Sequence, residues 1–297
     1  MHKLNRFFIF CTMWLYRILG DLLLSSIPTI RKAVGTDSPI QIQEGFHWEV
    51  VDANGMRSEW IVPPNAQSDA VLLYLHGGGG VLGISNTLRK MASYIASACD
   101  LRTLMPDYRL APENPFPTGL NDCIAAYSWL LSQGYNPNRI VFVGDSIGGL
   151  LVLSCLISTR DAGKPLPIAA VCISPNTDPA LKGKSMKTNA LKDASLSPKY
   201  AQTMMRHYVN EHDLGDPYLS PLRADLHGLP PIMIQVGANE ILLDDSTRFK
   251  ERAKSMGVDV TLETWPGMWH DWHTSVPTLL EANQAIEQIG NYIKEHI

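Results

Sequence analysis

The chain has 297 residues, 45% of them hydrophobic and 18% charged, with a formal net charge of -4. That balance fits a soluble globular protein and excludes the basic surface that nucleic acids or other polyanions need. Its length suits one large single-sheet α/β core with a smaller cap. Five widely spaced cysteines (Cys11, Cys99, Cys123, Cys155, Cys172) form no C-x-x-C pair, which argues for buried thiols in a reducing, cytoplasmic setting rather than for disulfides or a metal.

At the N-terminus, Phe7 to Tyr16 is apolar behind Lys3 and Arg6, as in a signal peptide. Arg17 and Asp21 interrupt it, no small-residue cleavage site follows, and the stretch is too short to span a bilayer. Residues 1–45 are therefore expected to form helices that dock on the protein's own cap. The alternative is a membrane-surface contact through residues 7–24, with a cleaved signal a more distant third.

Phe46 to Asp52 and Met56 to Val62 flank Ala53-Asn54-Gly55, a hairpin signal. Ala70 to Leu75 is apolar without alternation, as in a strand buried on both faces, and ends in His76-Gly77-Gly78-Gly79-Gly80. Four glycines in a row are costly in conformational entropy, so their expected use is to bring backbone N–H groups close to a ligand. Ser85-Asn86 caps a helix to about Ala98, and Leu101 to Met105 is a strand. After it, Asp107-Tyr108-Arg109-Leu110-Ala111-Pro112-Glu113 is an ordered loop in which Asp107 and Glu113 are expected to pair with Arg109 and brace the site, the alternative being a catalytic carboxylate at either position.

A helix over Asn121 to Gln133 ends at Gly134. Ile140 to Val143 then reads as a buried strand, Gly144-Asp145-Ser146-Ile147-Gly148 as a sharp turn, and the apolar run to Ile157 as a helix. This is the G-x-S-x-G elbow, whose flanking glycines relieve a near-collision and leave Ser146 projecting. Ile168 to Ile173 is a further strand. Lys182 to Asp216 breaks the strand/helix rhythm and is a candidate cap insertion, in which Met204, Met205 and Tyr208 either line an apolar pocket or simply pack. Pro231 to Val236 and Val258 to Trp265 are strands separated by a helix from Asp245 to Gly257, and Val276 to Ile297 closes the chain as an amphipathic helix. The alternation implies a mainly parallel sheet with helices on both faces and functional groups at the carboxyl ends of its strands.

At those ends stand the glycine run, Ser146, Glu240 and His270, in the order serine, acid, histidine expected of an α/β-hydrolase triad. A serine hydroxyl needs an imidazole to take its proton, and the imidazole needs a carboxylate to fix its tautomer. His270 directly follows the last strand; His273 is its rival.

His76-Gly77-Gly78-Gly79, Asp107 to Glu113, Gly144 to Gly149, Asp216-Pro217, Ser220-Pro221 and Leu229-Pro230-Pro231 together resemble the bacterial hormone-sensitive-lipase family of carboxylesterases over nearly everything after residue 45. The resemblance implies an α/β-hydrolase core over 46–297, a cap built from the N-terminal segment and residues 182–216, and an oxyanion hole of the Gly78, Gly79 and Ile147 N–H groups. Much of that family has Asp as the triad acid where this chain has Glu240, which leaves Asp244 and Asp245 as rivals. Many relatives carry Ala at Ile147, so the isoleucine is expected to narrow the pocket.

The expected activity is two-step hydrolysis of short- to medium-chain carboxylic esters, with no metal or organic cofactor, on a small-molecule ester or lactone substrate. The resemblance leaves room for a homodimer. A lactone hydrolase uses the same triad. A non-catalytic ligand receptor, such as the plant gibberellin receptors that resemble this family, loses the base that His270 supplies here.

Overall fold

The computed structural model describes residues 2–23, 26–36 and 38–297; Met1, Leu24, Ser25 and Asp37, all within the expected N-terminal cap segment, lie outside the described residues. Two helices lead, α1 (His2–Leu23) and α2 (Ile27–Ala33). The remaining order is β1 (His47–Asp52), β2 (Arg57–Val62), β3 (Gln67–Leu75), α3 (Asn86–Cys99), β4 (Leu101–Pro106), α4 (Thr118–Ser132), β5 (Ile140–Asp145), α5 (Ile147–Asp161), β6 (Ala169–Ile173), α6 (Ser185–Thr188), α7 (Pro198–Val209), β7 (Ile232–Gly237), α8 (Leu243–Ser255), β8 (Val260–Trp265) and α9 (Leu280–His296).

The eight strands form one sheet in the order β1-β2-β4-β3-β5-β6-β7-β8. The Asn54-Gly55 turn joins β1 to β2 with Asp52 opposite Arg57, and β2 lies antiparallel on β4. From β4 through β8 every pairing is parallel. The unalternated apolar runs have the predicted cause. In β3, Val71, Leu73 and Leu75 belong to the core that α4, α5 and α8 cover on one face, while Ala70, Leu72 and Tyr74 belong to the core that α3 and α9 cover on the other. A strand covered on both faces has no solvent side on which to alternate.

Most boundaries fall within a few residues of the expected ones, but the closing helix begins at Leu280, because Trp272–Ser275 forms a 3-10 turn first. The loop after β4 differs from expectation in its partners. Arg109 pairs with Asp122 of α4, Asp107 with Arg57 of β2, and Glu113 with Arg31 of α2. The loop is thus braced by three separate elements rather than internally.

No helix among the described residues is long and apolar enough to cross a membrane. One side of α1 rests on the region after β8 and on the 182–216 stretch. Arg6 reaches the Pro266 carbonyl and Glu281, Phe10 meets Trp269 edge-to-face at 5.8 Å, Arg17 donates to the Asp193 and Ala190 carbonyls, and Asp21 accepts from Ser197. The other side leaves Phe7, Phe8, Leu15, Tyr16 and Leu22 exposed.

Candidate active site

β5 and α5 meet at Ser146, whose φ of 55° and ψ of −117° are strained for a residue with a side chain. The turn is as crowded as its glycines suggest. A Cβ on Gly144 would lie 2.4 Å from the Gly148 carbonyl oxygen, and one on Gly148 would lie 1.9 Å from that of Leu75. Asp145, inside the elbow, ties it to the neighbouring loop by accepting from the Tyr74 hydroxyl at 2.6 Å and the Gly77 N–H at 2.9 Å. Burial, then the charge of Asp271, raises the Asp145 carboxyl to about 7.

The glycine run after β3 stands beside the elbow, with Gly78, Gly79 and Gly80 at φ of 105°, 65° and 69°. Its base is held by His76, which stacks on Tyr108 at 4.2 Å while the Tyr108 hydroxyl donates to the His76 carbonyl. Among the described residues no acceptor takes the N–H of Gly78, Gly79 or Ile147. Two of the three expected pocket residues, Met204 and Tyr208, pack on this run. A Cβ on Gly79 would meet that of Met204 at 2.7 Å, and one on Gly80 would meet the Tyr208 ring at 2.3 Å. Met204, Met205 and Tyr208 are all buried.

The third side is built from the ends of β6, β7 and β8. His270 Nε2 lies 2.9 Å from Ser146 Oγ, and its Nδ1 lies 3.1 Å from Glu240 Oε2. The other Glu240 oxygen accepts from the Ser174 hydroxyl at 2.7 Å and the Gly237 N–H at 2.5 Å. The rivals stand apart. Asp245 accepts the Thr177 and Asp178 N–H groups and pairs with Arg248, Asp244 accepts from Ser185 N–H, and His273 Nε2 is 2.8 Å from Gln235 Oε1.

Burial lifts the Glu240 carboxyl to about 7 against the opposing hydrogen bond and charge of His270. At His270 burial opposes the cation, but the charges and hydrogen bonds of Asp271 and Glu240 outweigh it and hold the imidazole well above its ordinary value.

Three groups here were not singled out from the sequence. Ser174, at a φ of 46° just past β6, bridges Glu240 and the Asp271 N–H. Asp193, wholly buried, accepts four backbone N–H groups: those of His270, Ser195 and Leu196 on Oδ1 and that of Ile241 on Oδ2. It thus joins the histidine loop, the acid loop and the 182–216 stretch. Asp271 places Oδ2 3.1 Å from His270 Nε2. Its position beside His270 was visible in the sequence; Asp193 carried no local signal, since its partners come from three loops.

The profile of the alpha/beta hydrolase fold family matches residues 72–274. An acetyl-hydrolase from Streptomyces hygroscopicus is 41% identical over 246 residues, covering 83% of this chain and 82% of the relative. The crystal structure of a double mutant of the esterase E40 superposes with a TM-score of 0.88 at 44% identity, over 92% of each chain. That of an esterase from the bacterial hormone-sensitive lipase family gives 0.85 at 43%, over 95% of this chain and 90% of the other.

Proposed function

Because the chain belongs to the α/β-hydrolase fold family, and within it to the bacterial hormone-sensitive-lipase esterases, it is a carboxylic ester hydrolase, and we propose that it works through an acyl-enzyme on Ser146. One observation carries this reading: the unbroken relay from Ser146 Oγ through both nitrogens of His270 to Glu240.

With Nδ1–H directed at Glu240, Nε2 of neutral His270 accepts the Ser146 proton as Oγ attacks the ester carbonyl. The imidazolium so formed is stabilised by Glu240, which Ser174 and Gly237 hold in place. The tetrahedral oxyanion is met by the Gly78, Gly79 and Ile147 N–H groups, each worth roughly 3 kcal/mol in systems where one such donor has been removed. Nε2–H then protonates the departing alcohol. A water, deprotonated by His270 in the same way, releases the acid and restores Ser146.

Residues 182–216, with α1 laid against them, serve as the cap. Met204 and Tyr208 packed on the glycine run support short- to medium-chain acyl groups, as does the acetyl-hydrolase name of a relative 41% identical. A receptor reading has no use for the complete relay. The test is a p-nitrophenyl ester series from acetyl to dodecanoyl beside a lactone series, with Ser146→Ala as blank and mass spectrometry of quenched enzyme. A burst with an acyl adduct on Ser146, and rates falling beyond medium chains, is the expected result. No adduct would overturn the acyl-enzyme, and lactones outpacing every ester would reassign the substrate.

A further inference from the structure

The residue after the base carries a carboxylate that this mechanism leaves without a task. Asp271 sits at a φ of 53°, and Oδ2 lies 3.1 Å from Nε2 of His270, the nitrogen that also faces Ser146. Its other oxygen, Oδ1, is buried and has no hydrogen-bond partner, although the side chain as a whole is 15% exposed. A buried carboxylate oxygen without a donor is costly.

The contact with Nε2 has a chemical consequence. Neutral His270 offers a lone pair at that nitrogen to the serine, and a carboxylate has nothing to gain there; the pair is favourable only when Nε2 carries a proton. That is the state just before the alcohol leaves. The leaving oxygen must then lie within about 2.6–3.2 Å of Nε2 to collect the proton. It occupies the neighbourhood of Oδ2, and a substituent one or two carbons from it comes within reach of that same oxygen.

We propose that Asp271 is a specificity-determining residue for the alcohol part of the ester, receiving a hydrogen-bond donor, best a cationic one, carried close to the scissile oxygen and turning away anionic alcohols. The assignment rests on the acyl-enzyme reading above. Asp271 takes no proton in the reaction. The C–O bond breaks, the proton on Nε2 passes to the alkoxide, and the alcohol leaves neutral at the ester oxygen. The other charged or titratable groups around His270 already have partners: Glu240 at Nδ1, Asp193 on the backbone N–H, Asp145 on Tyr74 and Gly77, and His273 on Gln235.

Butyrate esters in matched pairs test this. The pairs are 2-(dimethylamino)ethyl against 3-methylbutyl, and 2-hydroxyethyl against propyl, with carboxymethyl as the anionic case, each assayed on wild type, Asp271→Asn and Asp271→Val. In wild type, kcat/KM should favour the cationic ester over its alkyl isostere by about tenfold and disfavour the anionic ester by about as much, the effect of a charge-assisted contact worth about 1.4 kcal/mol. Both ratios should shrink to within about threefold in the variants, where that contact is absent. Ratios are insensitive to how much of a variant folds.

The acid limb of kcat/KM on the propyl ester should also move to lower pH in Asp271→Asn, because one of the two carboxylates facing the imidazolium is gone. Unchanged ratios, or an unmoved limb, overturn the assignment. Organophosphate titration of Ser146 separates the two levels. If Ser146 labels normally and the ratios do not move, Asp271 alone is misassigned; if Ser146 does not label, the acyl-enzyme reading fails first.

Discussion

On one side of Ser146 the site offers bare backbone at Gly78, Gly79 and Gly80; on the other, around His270, it gathers the carboxylates of Asp193, Glu240 and Asp271. On the proposed mechanism the contrast follows from the charges each side must meet. A developing oxyanion needs N–H donors with no competing acceptor, so side chains there would only intrude. A developing imidazolium needs acceptors, held where they do not collapse onto the nucleophile. Substitutions on the two sides should therefore fail for opposite reasons: added atoms on the glycine side, removed charge or hydrogen bonds on the histidine side.

The largest effects should come from the relay. His270→Ala and Glu240→Gln should each lower kcat on p-nitrophenyl butyrate by about 10⁴-fold, the loss typical when the base is absent or its tautomer is wrong. Asp244→Asn, whose carboxylate accepts from the Ser185 N–H while Glu240 takes the contact with His270, should stay within about threefold of wild type, as expected of a change remote from the chemistry. The reverse pattern would transfer the acid role from Glu240 to Asp244.

On the glycine side, Gly79→Ala adds a Cβ that would sit 2.7 Å from that of Met204, at a φ of 65° that alanine resists. Displacing one oxyanion donor should reduce kcat by about 10²–10³-fold. Pairing it with Met204→Ala removes the collision but not the backbone strain, so the double variant should recover part of the loss. Full additivity of the two losses would show that the glycine run and α7 are not coupled.

Asp193→Asn probes how the histidine side is held together. An amide accepts through one oxygen only, whereas Oδ1 of Asp193 takes three N–H groups and Oδ2 takes a fourth. Either the Ile241 loop beside Glu240 or the His270 loop must lose its tie. A shift of the base by a fraction of an ångström should cut kcat per titratable Ser146 by roughly 10- to 100-fold with a smaller change in KM; a loss that disappears once rates are divided by the organophosphate-titrated fraction would point to general destabilisation instead.

These two sides were not equally readable in advance. Strand β5, the elbow and the glycine run declare themselves locally, because burial on both faces leaves an unalternated apolar run and a turn that excludes Cβ atoms demands glycine at fixed offsets. Glu240 and His270 were found because each follows a strand. Asp193 could not be found that way, since its meaning lies in N–H groups at 195, 196, 241 and 270 that only folding brings together. The ion partners of Arg109, Asp107 and Glu113 escaped for the same reason. Proximity in sequence suggested one internal cluster, while the fold supplied Asp122, Arg57 and Arg31 from three other elements.

The smallest expected effect uses the second histidine of the same loop as an internal control. His273 is as buried as His270 but has no carboxylate beside it. Burial, with a lesser push from the charge of His270, drives its imidazole down to about 3. His270, under the same burial, moves the other way because Glu240 and Asp271 face it. A histidine whose folded value lies below its unfolded one near 6.5 takes up a proton on unfolding, so its contribution to stability is present above about pH 6.5 and is lost as pH falls toward 3. In His273→Gln, which keeps a donor for Gln235 and cannot titrate, that loss is absent. The stability difference between wild type and variant, from urea melts between pH 8 and pH 5, should therefore decline below pH 6.5 by up to about 1.4 kcal/mol per pH unit. A difference constant across that range would mean that burial alone does not keep His273 neutral, and that the two histidines differ less than their surroundings imply.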